Sequence, residues 1–118
     1  MAESEFKRLL SSAKEIEITV IGRKSGQKIS TPVWFVYEDN TLYLLAVNGS
    51  NTNWYKNILK EPTIEISVDK EKVTTKAKPI MDTDKIGEVA EKFRSKYGAA
   101  NIEKYYSRLD AAAELSLE

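Results

Sequence analysis

The feature of this sequence that most limits its fold is a series of short apolar–polar alternations separated by tight turns. Residues 16–20 and 64–68 alternate between branched apolar and polar side chains, which is the two-residue period of a half-buried strand. Glycine-bounded residues 22–26 and the acidic turn at 38–40 interrupt the pattern. Strands joined by such tight turns pair as antiparallel hairpins. The pattern therefore excludes a doubly wound parallel sheet.

The same reading predicts the number of strands and their arrangement. Pro32 cannot donate to a strand ladder, so it marks an edge strand or a bulge. Six short, mostly antiparallel strands would curl into a small barrel to remove exposed edges. The predicted fold class is therefore α+β, mainly β, with flanking helices. The strands are expected at residues 16–20, 29–37, 41–47, 64–68, 73–77 and 113–117, and helical spacing occurs at 3–13, 53–59, 83–97 and 102–109.

Size and composition restrict the class of protein. The chain of 118 residues fits one domain, 1–118. It contains no histidine and no cysteine, which removes imidazole bases, thiol nucleophiles and the usual ligands of zinc, so no metal site is expected. The 18 basic and 18 acidic residues cancel, and no apolar run is long enough to span a membrane. We therefore expect no nucleic-acid partner and a cytoplasmic protein, whose redox chemistry, if any, would come from an organic cofactor.

The first candidate segment is the hairpin loop of residues 22–26. Two glycines enclose Arg23, Lys24 and Ser25, so backbone amides, cations and a hydroxyl can all point outward. Such a loop can receive a phosphate or a carboxylate. It lacks the spacing of a P-loop, and a solvated turn with the same composition is the alternative.

The second candidate segment, residues 47–57, is a polar glycine loop that opens into a helix. Free N–H groups at a helix start favour anions, and Trp54 and Tyr55 add flat apolar surface beside them. A ligand with a phosphate at one end and a planar ring at the other would suit this arrangement. The alternative is that the aromatic side chains only attach the helix to the sheet.

The third candidate is the pair Tyr105–Tyr106. Consecutive helical positions diverge by about 100°, so one phenol can line the core while the other faces a cleft. A phenol can donate a proton or a hydrogen bond to a developing oxyanion. A packed tyrosine with a solvated hydroxyl is the alternative.

Taken in order, these segments resemble a known family. The resemblance rests on a strand ending in G-x-K-[ST]-G, a proline six residues later, an E-D-[NG] turn, a glycine loop, and a W-Y-x-N-[LIV] helix before K-x-P. The tyrosine-bearing helices near the carboxyl terminus add to it. These motifs are typical of the deazaflavin-dependent nitroreductase family, within the flavin-binding, pyridoxamine-phosphate-oxidase-like split β-barrel superfamily. They stand in the run IGRKSGQKISTPVWFVYEDNTLYLLAVNGSNTNWYKNILKEPTIEISVD and in EKFRSKYGAANIEKYYSRLD.

The resemblance implies a six-stranded split barrel that binds coenzyme F420, a 5-deazaflavin with a phosphate and a polyglutamate tail. The reduced coenzyme would pass a hydride to a nitroaromatic, a quinone or a similar small electron-poor acceptor. Split barrels often pair, so a homodimer is plausible. By similarity, Tyr105 lies on the substrate side. The positions implied for the cofactor are Arg23, Lys24, Ser25, Gly26, Pro32, Val47, Asn48, Gly49, Ser50, Trp54 and Asn57.

Three positions depart from the family pattern. Ile29 stands where an arginine often contacts the tail, the loop at 47–50 is shorter, and Ile102 replaces a second tyrosine. These departures keep FMN as an alternative cofactor and leave the acceptor open. A binding protein that carries a flavin or deazaflavin without turnover is the competing hypothesis.

Overall fold

The computed structural model describes residues 2–106 and 109–117, so the predicted motif residues Ser107 and Arg108, together with Met1 and Glu118, lie outside the described part. Within these ranges, four helices and seven strands follow one another. They are α1 (Ala2–Ser12), β1 (Ile16–Ile21), β2 (Lys28–Val33), β3 (Val36–Glu38), β4 (Thr41–Leu45), α2 (Asn53–Lys60), β5 (Thr63–Val68), β6 (Glu71–Ile80), α3 (Thr83–Tyr97), α4 (Ala99–Tyr105) and β7 (Ala112–Ser116), with a 3₁₀ turn at Gly49–Asn51.

All seven strands belong to one antiparallel sheet with the order β2-β1-β5-β6-β7-β4-β3. The long strand β6 bridges its two halves, because residues 71–76 pair with β5 and residues 77–80 pair with β7. The edge strands β2 and β3 are separated by only two residues. Three peptide units span at most about 11 Å, so the sheet must curl until its edges approach each other. The predicted α+β fold, built on a curled antiparallel sheet, is confirmed.

The prediction of one strand at 29–37 is wrong, and this accounts for the seventh strand. The segment breaks at Trp34–Phe35, after which the chain leaves β1 and pairs with β4. The hydroxyl of Tyr97 accepts a hydrogen bond from the Phe35 N–H (3.1 Å) and donates to the Lys14 carbonyl (2.6 Å). Lys96 Nζ donates to the Phe35 carbonyl at 2.9 Å. These contacts from α3 satisfy backbone groups that a continuous strand would have paired elsewhere.

Local signals in the sequence account for several other boundaries. Pro32 lies in the edge strand β2, as predicted. Asp39 and Asn40 both have positive φ, the conformation of a two-residue hairpin turn whose twist matches its strands. Asp82 caps α3 by accepting from the Lys85 N–H, and Gly98 ends that helix with a φ of 95°.

The core is divided between the two sides of the sheet. Phe6 and Leu10 of α1, together with residues of α2, pack in one cluster with the buried faces of β1 and β5. Residues of α3 and α4, including Phe93 and Ile102, pack in a second cluster with β3, β4 and β7. These two clusters hold α2 and α4 against the sheet.

Candidate functional site

The glycine hairpin between β1 and β2 is a compact, internally bonded turn. The Gly22 N–H donates to the Gln27 carbonyl at 2.8 Å, and the Gly26 N–H donates to the Gly22 carbonyl at 2.9 Å. A Cβ at position 22 would lie 2.6 Å from Ser25 Oγ, and Gly26 has a φ of 71°, where glycine is favoured. The positive φ therefore favours glycine at position 26, and a side chain at position 22 would displace the Ser25 hydroxyl.

Helix α2 holds this hairpin in place through Asn57. Its Oδ1 accepts from the Arg23 N–H at 3.1 Å and from Arg23 Nη1 at 2.8 Å. Lys60 Nζ donates to the Arg23 carbonyl at 2.7 Å. Asn57 is only 3% exposed, so its side-chain oxygen is shielded from competing water. The asparagine expected to contact a cofactor thus orients the loop and its guanidinium group.

A cavity of about 310 Å³ lies beside the hairpin, and we call it the cationic cavity. Its lining includes two cationic side chains, two hydroxyl-bearing residues and three residues of α2. Charged and hydroxyl donors of this kind bind phosphate or carboxylate groups. The lining residues are Val20, Gly22, Arg23, Lys24, Ser25, Ile29, Thr31, Asn53, Trp54 and Asn57.

A second cavity of about 420 Å³ adjoins the first, and we call it the apolar cavity. Thr31 and Trp54 line both cavities. Most of its other walls are aliphatic or aromatic, which suits a planar ring system. The lining residues are Glu15, Thr31, Pro32, Val33, Trp34, Leu45, Val47, Thr52, Trp54, Tyr105 and Tyr106.

Trp54 combines the two alternatives that the sequence left open. The indole is only 5% exposed and belongs to the core cluster of α1 and α2. It also forms the common wall of the two cavities. This residue therefore packs α2 against the sheet and offers a surface to any ligand that spans both cavities.

Trp34 is an aromatic wall of the apolar cavity that the sequence did not single out, and Tyr106, the second member of the candidate tyrosine pair, is another. Trp34 stacks on Tyr97, with ring centroids 4.3 Å apart and 8° between the planes. It also makes an edge contact with Tyr105, with ring centroids 5.6 Å apart. Tyr106 is buried, and burial raises its pKa. Alternation through the single strand predicted at 29–37 would have placed Trp34 on the same face as Pro32, but β2 ends at Val33, so the break after it decides where the indole lies.

The glycine loop after β4 does not supply free amides, contrary to expectation. The Asn48 N–H donates to Thr52 Oγ1 at 2.8 Å, and the Gly49 N–H donates to the Ala46 carbonyl at 3.1 Å. The Ser50 N–H donates to Asp110 Oδ1 at 2.9 Å. Val47 and Thr52 of this loop line the apolar cavity, whereas residues 48–50, like Gly26, lie outside both cavities.

The paired cavities fit a cofactor with a phosphate and a planar ring. Cationic and hydroxyl-bearing residues line one cavity, mostly aromatic and aliphatic residues line the other, and two residues line both. Over residues 2–106 and 109–117, no cluster of acidic side chains could hold a metal ion. In the same ranges, no helix has the length and apolar character of a membrane-spanning segment.

Solved structures support the fold. An F420-H2 dependent reductase, FDR-A, is 19% identical over 87% of this chain and 94% of its own, with a TM-score of 0.67. The heme storage protein HutZ of Vibrio cholerae is 14% identical, covers 99% of this chain and 90% of its own, and has a TM-score of 0.74. A Listeria innocua protein described as a pyridoxamine 5′-phosphate oxidase is 10% identical to this chain. The match covers 98% of this chain and 92% of that protein, with a TM-score of 0.72.

A family model described as F420H(2)-dependent quinone reductase matches residues 2–112. The match spans nearly the whole chain and includes the glycine hairpin, helix α2 and Tyr105. It confirms the family resemblance, the expectation of a reductase, and coenzyme F420 as the cofactor. The chain therefore belongs to the F420H2-dependent quinone reductase family.

Proposed function

We propose that this protein reduces quinones, or similar electron-poor acceptors such as nitroaromatics, with reduced F420. The observation that carries the proposal is the pair of adjoining cavities, one cationic and one apolar, with Thr31 and Trp54 in common. A phosphate-bearing ring cofactor needs both environments within the length of one molecule. The apolar cavity also offers aromatic surface against which a planar acceptor can stack.

The residues of the cationic cavity would hold the anionic part of the coenzyme. Arg23, Lys24 and Ser25 supply charge-assisted and neutral donors. Asn57 keeps the Arg23 guanidinium pointing in one direction through its 2.8 Å hydrogen bond. Because the loop is closed by its own backbone hydrogen bonds, little ordering would accompany binding, which favours affinity.

The residues of the apolar cavity would orient the ring and the acceptor. Pro32 and Trp54 would flank the ring, while Trp34 and Tyr105 would contact the acceptor. When bound in its reduced form, the deazaflavin supplies a hydride, and a quinone that gains this hydride and one proton becomes a hydroquinone. The Tyr105 side chain is 50% exposed, so its hydroxyl could pass a proton from water to the acceptor oxygen. Buried Tyr106 keeps its proton and serves as a wall.

The proposal is tested by binding and by turnover with purified protein. Titration with F420 and with FMN, followed by quenching of tryptophan fluorescence, should show tighter binding of F420. Chemically reduced F420 should then be reoxidised by a naphthoquinone only when the protein is present. Binding of F420 without catalysed reoxidation by any quinone or nitroaromatic would support the carrier hypothesis instead. Tighter binding of FMN would contradict the assignment of the cofactor.

A further inference from the structure

We propose that Glu15 makes the apolar cavity discriminate between acceptors by charge, so that neutral or cationic planar acceptors are preferred to anionic ones. The inference deepens the proposed function, on which it rests for the planar acceptor. It starts from an asymmetry between the cavities. Arg23 and Lys24 line only the cationic cavity, whereas Glu15 lines only the apolar cavity.

Glu15 is the one carboxylate among the described residues that line either cavity. It immediately precedes β1 and shares the apolar cavity with Trp34 and Tyr105. The other ionisable side chains described in that wall are tyrosines, which are uncharged at neutral pH. A planar acceptor that stacks on these rings would therefore lie close to a single negative charge.

No cation within the described ranges forms an ion pair with Glu15. Its carboxylate contributes, after burial, to the raised pKa of Tyr97, so its field reaches the ring that stacks on Trp34. Lys96 is engaged by the Phe35 carbonyl and ring. Lys104 Nζ lies 5.3 Å from the centroid of the Tyr105 ring, so it brings a positive charge to the same aromatic wall.

The expected size of the effect follows from Coulomb's law near a surface. A unit charge about 8 Å from an anionic acceptor, at an effective dielectric constant between about 40 and 80, changes its affinity by about two- to five-fold. The Debye length falls from about 30 Å at 0.01 M salt to about 3 Å at 1 M. The discrimination should therefore be strongest at low ionic strength.

The experiment compares a naphthoquinone with the same naphthoquinone carrying one sulfonate. Glu15→Gln removes the charge with little change in shape. Glu17→Gln is the matched control, because Glu17 is exposed on β1 and lines neither cavity. For each variant, kcat/KM with reduced F420 is measured for both acceptors. The ratio of kcat/KM for the sulfonate to kcat/KM for the neutral quinone is then compared between variants. The different intrinsic reactivities of the two quinones cancel in this comparison.

A second readout does not depend on turnover. Dissociation constants of the two quinones for coenzyme-free protein are obtained from quenching of Trp34 and Trp54. We expect Glu15→Gln to raise the relative affinity and kcat/KM for the sulfonate by about two- to five-fold at low salt, and Glu17→Gln to leave both ratios unchanged. Lys104→Gln, which removes a positive charge, should lower the relative affinity and the relative kcat/KM for the sulfonate.

The outcomes separate this inference from the proposed function. Turnover with ratios unmoved by Glu15→Gln would overturn the role of Glu15 and leave the reductase intact. If Glu15→Gln shifts the ratio of the two dissociation constants but no quinone is turned over, the role of Glu15 is supported and the proposed reductase activity is defeated. The absence of both quinone binding and quinone turnover would defeat both.

Discussion

Replacement of Asn57 by Ala should weaken both the fold and the coenzyme site. Asn57 Oδ1 accepts one hydrogen bond from a backbone N–H and one from a guanidinium group. The first contributes about 1 kcal/mol and the charged one about 1.5–3 kcal/mol. Half-buried Arg23 can recover water after the change, so we expect the free energy of unfolding to fall by about 2–3 kcal/mol. A guanidinium that is no longer oriented should lower affinity for F420 by about ten- to a hundred-fold.

The assay pairs urea unfolding with coenzyme titration, and Lys24→Ala is the comparison variant. Lys24 is exposed in the same loop, so its loss should lower affinity without lowering stability. Asn57→Asp provides a second control, because a carboxylate keeps the acceptor and adds negative charge beside the cationic cavity. This variant should retain more stability than Asn57→Ala, although burial of its charge carries a cost, and it should bind F420 more weakly. An Asn57→Ala protein with unchanged stability and unchanged affinity would refute the role of these hydrogen bonds in holding the hairpin.

Three further predictions concern single side chains. Lys24→Ala should weaken F420 binding by about 1–3 kcal/mol, as for a charge-assisted hydrogen bond, with a smaller loss in high salt; equal affinities at low salt would remove the loop from the site. Trp54→Phe should cost about 1 kcal/mol of stability through imperfect packing and also lower turnover per folded molecule. Quenching of Trp54 fluorescence by bound cofactor is read in a Trp34→Phe background. If the Trp54→Phe variant unfolds at a lower temperature but has normal turnover per folded molecule, Trp54 is a core residue only. Burial, followed by the charge of Tyr97, raises the pKa of Tyr106 above its unfolded value. The folded state therefore holds this proton more tightly, and the stabilisation present below about pH 10 is lost as pH rises further. Urea unfolding between pH 8 and 11 should show a steeper alkaline decline for the native protein than for Tyr106→Phe, and parallel curves would contradict this.

The sequence alone predicted the elements whose causes are local. Turn residues at 39–40, the cap at Asp82 and the break at Gly98 act within a few residues, so they can be read from the chain. The edge position of Pro32 follows from its missing donor. The glycine hairpin and Trp54 were named from order and spacing, and both lie at the cavities. Pairing into a homodimer stays a prediction.

Only the tertiary structure decided the features that depend on distant partners. Phe35 leaves the strand because Tyr97, 62 residues away, bonds its backbone, and this break brings Trp34 to the apolar cavity. The Ser50 amide is paired with Asp110, 60 residues away, so the glycine loop is not the anion receptor that its composition indicated. Asn57 reaches back 34 residues to Arg23. Periodicity and composition describe which groups seek partners, whereas long-range folding determines which partners they find.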